Sequence, residues 1–220
     1  MPRSVALFDL DGVILDTEGS YTAFWDDYGS RNFSEKDFGL KIKGQTLVKI
    51  LGDYFPEEKK REAIIDSIND FERNMTYPFV PGAEEYIKSL KANGIRIAVV
   101  TSSNDVKMEN VYRCHPGFRE MFDIILTSED FTESKPSPYC YLKAMNIFGV
   151  EPQDCVVFED SVSGLQAGKA SGAFIVGLLT TNPEKIVREY SDLMIRDFND
   201  SRISEIGFQI WYDRNHNVFT

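Results

Sequence analysis

Four apolar residues, Val5-Ala6-Leu7-Phe8, run without a polar break into Asp9-Leu10-Asp11-Gly12. Such a run fits a buried strand. In an extended strand, side chains i and i+2 point the same way. Asp9 and Asp11 can therefore reach one ligand where the strand ends, and Gly12 lets the chain turn away sharply. Two carboxylates beside a buried strand end repel each other. A hard cation such as Mg²⁺ gives that arrangement a purpose, because it takes oxygen ligands and works with phosphates. The ordinary alternative is a strand followed by an acidic turn, since Asp-Gly is a common turn signal.

The rest of the chain shows what that strand belongs to. From Tyr77-Pro78-Phe79-Val80-Pro81-Gly82 onward, helical and strand patterns alternate. Helices are expected over 83–93, 105–114, 138–148, 162–171 and 183–190, with Gly94 and Gly149 as stops. Apolar strands are expected over 95–100, 122–126, 155–158, 173–178 and 193–195. Repeated βα units with continuous apolar strands imply an α/β fold, a doubly wound, Rossmann-like parallel sheet covered on both faces. Ligands of such sheets bind outside the carboxyl ends of the strands.

Residues 18–77 interrupt this pattern. Tyr21, Phe24, Trp25 and Tyr28, then Leu47, Ile50 and Leu51, then Ile64, Ile65, Ile68 and Phe71 recur at helical spacing, which reads as helix packing. The division expected is a core of 1–17 and 78–220 with a small α-helical cap, 18–77, inserted after the first strand and lying above its acidic end. The segment 207–220, with Phe208, Ile210, Trp211 and Tyr212 among polar residues, reads as an edge strand or a docked tail.

The formal net charge is −11 and no Lys/Arg run offsets it, so nucleic acid and anionic membranes are not expected partners. No apolar run has membrane-spanning length, and the N-terminus has no signal-peptide pattern, so a cytoplasmic protein is expected. Cys114, Cys140 and Cys155 are far apart with no CxxC pair, which suggests reduced thiols in packing roles.

Three later segments fall at strand ends or helix starts of the same sheet. Thr101-Ser102-Ser103-Asn104 offers hydroxyls and helix-start N–H groups to phosphate oxygens, or simply caps a helix. Lys135-Pro136-Ser137-Pro138 holds a lysine in a stiff loop, as a point charge for phosphate or as a solvated surface group. Glu159-Asp160-Ser161 ends an apolar strand with paired acids, suited to a metal or to capping the next helix. Independent caps would rarely yield the full set of acid, hydroxyl, lysine and acid.

These four segments resemble the four signature motifs of the haloacid dehalogenase superfamily, and the helical insert resembles its small cap. The stretch 9–18, with Lys135-Pro136 and Glu159-Asp160-Ser161, is most similar to the β-phosphoglucomutase-like phosphatase and phosphomutase subgroup. The resemblance implies phosphoryl transfer rather than dehalogenation, because a dehalogenase of this fold lacks the second acid, here Asp11. It implies Asp9 as the nucleophile forming an aspartyl-phosphate and Asp11 as general acid and base. Mg²⁺ would sit on Asp9, the Asp11 carbonyl and Asp160, with Glu159 close or through water. Thr101, Ser102 and Lys135 would hold the phosphoryl oxygens. The expected partner is a small phosphorylated metabolite, and a monomer suffices.

Within the cap, Ile42-Lys43-Gly44-Gln45-Thr46-Leu47 resembles the substrate-specificity loop, making Lys43, Gly44, Gln45 and Thr46 candidate substrate residues. The mutase's phosphate-binding arginine is replaced by Leu47 and its histidine by Tyr21. Leucine cannot make a bidentate phosphate contact. A phosphatase is therefore preferred over a sugar phosphomutase. A pyrophosphatase, or a non-catalytic phosphate-binding regulator, is further from the pattern.

Overall fold

The computed structural model describes residues 4–42 and 45–208. Its centre is a six-stranded sheet of β1 (Val5–Phe8), β2 (Arg96–Val100), β3 (Ile124–Leu126), β4 (Cys155–Glu159), β5 (Phe174–Leu178) and β6 (Leu193–Ile195). The strand order is β3-β2-β1-β4-β5-β6, and every neighbouring pair is parallel. The chain runs outward from β1 to β3, then crosses back to place β4 on the other side of β1. That reversal opens a crevice between the carboxyl ends of β1 and β4, where sheets of this kind bind ligands.

Between β1 and β2 lie α1 (Glu18–Phe33), α2 (Phe38–Ile42), α3 (Leu47–Tyr54), α4 (Glu58–Asn74) and α5 (Ala83–Ala92). The remaining helices are α6 (Asp105–Cys114), α7 (Tyr139–Phe148), α8 (Val162–Ser171) and α9 (Glu184–Arg188). Alternate strand residues face opposite layers. Ala6, Phe8, Ile97, Val99, Val156 and Phe158 join one apolar cluster with Ile87 of α5 and Met108 of α6. Val5, Leu7, Ala98, Val100 and Val157 join the other, with Tyr141 of α7 and Leu165 of α8. Burial on both faces is why these strands carry apolar runs rather than an alternating pattern. Beneath the crevice, the Phe8 and Phe158 rings stack at 4.3 Å, which pins the β1–β4 register and contributes about 0.5–1.5 kcal/mol beyond area burial.

Helices α1 to α4 enclose a separate cluster of Trp25, Phe38, Ile42, Ile50, Phe55, Ile64 and Ile68. The segments leading into and out of this unit run side by side: Leu15 bridges to Phe79, Asp16 N–H donates to the Pro78 carbonyl, and Val80 N–H donates to the Ile14 carbonyl. The helix expected over 183–190 is shorter, because Glu189 and Tyr190 N–H groups bond three residues back and tighten the last turn. The strand expected from Phe122 starts at Ile124, because Phe122 N–H closes a turn onto Arg119. Of the C-terminal segment, Phe208 packs on the first cluster; Ile210, Trp211, Tyr212 and His216 lie outside the described residues. No described helix is long and apolar enough to cross a membrane.

Candidate active site

Strand register assembles the first part of the site. Phe8 lies opposite Phe158, so Asp9 and Glu159 emerge side by side at the end of β1 and β4. Two adjacent buried carboxylates need a cation, and Lys135 supplies one. Its Nζ donates to Asp9 Oδ1 at 2.6 Å, to Glu159 Oε1 at 2.7 Å and to the Val100 carbonyl at 3.1 Å. Only 3% of Lys135 is exposed, so the solvated-lysine alternative is excluded. Its three donors are all used by the protein, so it is a clamp whose charge, rather than a spare N–H, reaches the cavity. Burial opposes that charge, but Asp9 and Glu159 outweigh it and hold the ammonium well above its ordinary pKa.

Glu159 is fully buried and saturated. Oε1 accepts from Lys135 and from the Tyr141 hydroxyl at 2.9 Å; Oε2 accepts from the backbone N–H groups of Asp160 and Ser161 and from the Ser161 hydroxyl. Asp160 is the opposite case. Ser161 caps α8 by accepting from Gly164 N–H at 3.1 Å, which frees Asp160 from that task. Both Asp160 carboxylate oxygens are buried without a hydrogen bond, and the nearby Thr181 hydroxyl falls short of hydrogen-bond geometry. Oxygens of Asp9, Glu159 and Asp160 lie within 4.8 Å of one another. Burial, then Lys135 pulling the other way, then Glu159, leave the Asp9 carboxyl raised to about 8. Burial and the charges of Glu18, Glu159 and Asp9 push Asp160 well above the carboxylate range. An all-oxygen donor set with surplus negative charge and two unpartnered carboxylate oxygens fits Mg²⁺. Gly12, at φ +76°, is what lets the chain pass: a Cβ there would stand 2.1 Å from Asp160 Oδ2.

Asp11 faces a different set of partners. Lys107 Nζ lies 2.5 Å from Oδ2, the Ser103 hydroxyl donates to the same oxygen at 2.8 Å, and the Thr17 hydroxyl donates to Oδ1. Burial disfavours its charge, but Lys107 and these hydroxyls outweigh it and hold the carboxyl below its usual range. Its side chain is outside the acidic cluster, so a metal role for Asp11 rests on the main-chain carbonyl alone. Asn104, not a hydroxyl, caps α6 through Lys107 N–H, leaving Thr101, Ser102 and Ser103 for other work. The sequence offers the Ser103 hydroxyl to phosphate, whereas here it donates to Asp11; Lys107 and Thr17 carry no role in the sequence reading. One signal was present: Lys107 falls in the first turn of a helix, where the dipole disfavours a cation.

A cavity of about 120 Å³ opens above these groups, lined from the sheet by Asp9, Asp11, Thr101, Ser102, Lys107 and Lys135. Thr101 also accepts Ser103 N–H at 3.0 Å. The helical unit forms the facing wall with Tyr21, Trp25, Leu47, Ile50 and Glu72 among others. Tyr21 and Trp25 therefore do more than pack helices. Of the candidate substrate residues, Gln45 lines the cavity and Thr46 does not. Thr46 caps α3 through Lys49 N–H at 3.3 Å and meets the Ser134 hydroxyl at 3.2 Å, because the helix start needs its oxygen. Lys43 and Gly44 lie outside the described residues.

Comparison with known proteins agrees with this geometry. A family model described as haloacid dehalogenase-like hydrolase matches residues 6–178. The chain is 30% identical over 220 residues to a bifunctional riboflavin kinase/FMN phosphatase of Arabidopsis thaliana, covering 96% of this chain and 58% of that protein's length. It is 28% identical over 214 residues to validoxylamine A 7′-phosphate phosphatase of Streptomyces hygroscopicus subsp. limoneus, covering 92% and 98% respectively. The fold superposes on β-phosphoglucomutase from Clostridium difficile with a TM-score of 0.74 at 23% identity, over 93% of this chain and 95% of that one. The sheet order, the four converging segments and a family match over most of the length together place the chain in the haloacid dehalogenase-like hydrolase family.

Proposed function

We propose that the chain is a Mg²⁺-dependent phosphatase that hydrolyses small phosphate monoesters through an aspartyl-phosphate on Asp9. The observation that carries this is the clamp on Asp9. Lys135 fixes Oδ1, which leaves Oδ2 as the attacking oxygen at the floor of the cavity. Attack in line on phosphorus forms the Oδ2–P bond and breaks the ester P–O bond, a route open to carboxylate nucleophiles. Asp9, Asp160 and the Asp11 carbonyl would hold the ion, while Glu159 sets Lys135. When bound, Mg²⁺ would offset the charge of the phosphoryl group against these carboxylates. Thr101 and Ser102 would bind phosphoryl oxygens, where fixed donors matter most in a transition state that spreads charge over them.

Asp11 would protonate the leaving alkoxide and then take the proton from water. Lys107, Ser103 and Thr17 hold the resting side chain as the carboxylate, so Asp11 must take up a proton as that grip loosens before it passes that proton to the alkoxide; the carboxylate so regenerated is the form that takes the proton from water. Residues 18–77 would act as a cap that excludes bulk water and selects the leaving group. Leu47 and Tyr21 line the cavity where a mutase would need phosphate-binding groups, which favours hydrolysis over phosphomutation.

Phosphate release from a panel of monoesters and pyrophosphate, with Mg²⁺ and with chelator, tests the proposal. Mg²⁺-dependent release is expected, with a loss of about 10³-fold or more for Asp9→Asn and about 10²–10⁴-fold for Asp11→Asn. Activity of either variant within about tenfold of wild type would overturn the assignment of that residue.

A further inference from the structure

The cavity wall is chemically two-sided. Both lysines that line it come from the sheet side, and both are committed: Lys135 to Asp9 and Glu159, Lys107 to Asp11. Among the described residues, the helical side contributes no lysine or arginine to the wall. What it does contribute is apolar surface from Trp25, Ile42, Leu47, Ile50 and Ile68, the polar groups of Glu18, Tyr21 and Thr22, and two buried hydrogen-bond acceptors. The first acceptor is the Glu72 carboxylate, 5% exposed, whose Oε1 takes the Tyr21 hydroxyl at 2.8 Å. The second is Gln45 Oε1, buried with no partner.

A buried acceptor without a donor costs stability, and a ligand that brings the donor recovers it. A buried carboxylate facing an empty wall has a second consequence. Any further negative charge on a ligand would stand near Glu72 in a medium that screens poorly. Among the described residues, the lysine of the wall nearest this side, Lys107, sits over the Tyr21 ring at 4.3 Å and could turn to such a ligand only by leaving Asp11.

We infer that the site selects phosphate monoesters with an uncharged leaving group. That group presents hydroxyl or amino donors to Glu72 and Gln45, lays C–H surface against Trp25 and its apolar neighbours, and carries no second anionic group. Bisphosphates, pyrophosphate and carboxylate-bearing phosphates are thereby disfavoured. The inference rests on the phosphatase reading, and its test separates the two.

The probes are two matched pairs differing in length: glycerol 1-phosphate against 3-phosphoglycerate, and glucitol 6-phosphate against gluconate 6-phosphate. Within each pair, a terminal CH₂OH is replaced by a carboxylate on the same carbon skeleton. With wild-type protein and Mg²⁺, kcat/KM is expected to favour the alcohol by about tenfold or more in at least one pair. Glu72→Gln, which keeps the shape and an acceptor, should shrink that preference by about threefold or more, chiefly by lowering KM for the carboxylate member. Tyr21→Phe, which frees Glu72 while keeping the ring, should leave the preference for the alcohol in place. Carboxylate members used as well as their alcohols in both pairs by the wild type overturn the inference while leaving the phosphatase reading intact. Absence of phosphate release from every ester defeats the phosphatase reading instead. Selectivity is then read from the Kd of each probe for Asp9→Asn by titration calorimetry. The same preference for the alcohols is expected there; equal Kd values within both pairs, or no binding by any of the probes, overturn the inference.

Discussion

Asp160 and Lys107 carry the sharpest consequences at the scale of single residues. Asp160 holds two buried carboxylate oxygens with no hydrogen bond, so a cation that binds there should stabilise the fold. Millimolar Mg²⁺ is expected to raise the thermal midpoint, by the equivalent of about 2.7 kcal/mol at a hundredfold excess over Kd, and to do so much less in Asp160→Asn. A melt with and without chelator checks this independently of turnover. Lys107 and Asp11 form a buried ion pair between α6 and the end of β1. Removing one partner strands the other charge, so Lys107→Met should destabilise by about 3–5 kcal/mol. Adding Asp11→Asn should recover much of that loss, giving a non-additive cycle by chemical denaturation. Asp9, Asp11, Lys135 and Asp160 were legible in the sequence because each stands at a strand end or helix start whose direction the local pattern sets. Lys107 was not, because its partner lies 96 residues away and no local pattern encodes that distance.

Elements position the site through their ends. The β1–β4 register sets Asp9 against Glu159, and α8 starts where Ser161 caps it. The start of α8 presses directly on this arrangement: a Cβ on Gly164 would stand 1.7 Å from Glu159 Oε1. Glu159 cannot retreat, since Lys135, Tyr141 and two backbone N–H groups hold it. Gly164→Ala should therefore cost about 1–3 kcal/mol or more by overpacking and should disturb Lys135 as well. In contrast, Gly52 in α3 has open space where a Cβ would go. Gly52→Ala should stabilise by roughly 0.5–1 kcal/mol. Comparing the two thermal midpoints tests whether the tight approach at Gly164, rather than glycine loss itself, is what matters.

On the scale of the whole molecule, the sheet and its two helical layers bury Cys140 and Cys155, while Cys114 at the end of α6 is exposed. Burial pushes the Cys140 thiol up to about 11 and the Cys155 thiol up to about 12, each further affected by nearby charges. The thiolate is the reactive form. Iodoacetamide at pH 8 is expected to add one group to the native protein, at Cys114, and three after denaturation, as read by mass spectrometry. Native labelling at Cys140 or Cys155 would show that the layers over β2 and β4 open in solution.

The order of apolar runs and the residues that close them already determined a doubly wound sheet with an inserted helical unit and an acid–hydroxyl–lysine–acid set at its strand ends. Local physics suffices for that, because strand burial, side-chain alternation and helix starts are all written within a few residues. Tertiary structure decided which alternative each motif realised. Ser161 and Asn104 took the capping work, which kept Asp160 and the hydroxyls of Thr101 and Ser103 out of the helix caps; Lys135 went inside rather than into solvent; Thr46 went to a helix start rather than to the cavity. It also brought Tyr21 and Glu72, 51 residues apart, together with Lys107 over one opening. Helical periodicity marks the face that is buried, but the residue it meets depends on how the inserted helices dock across the sheet, and that is set by packing between distant segments.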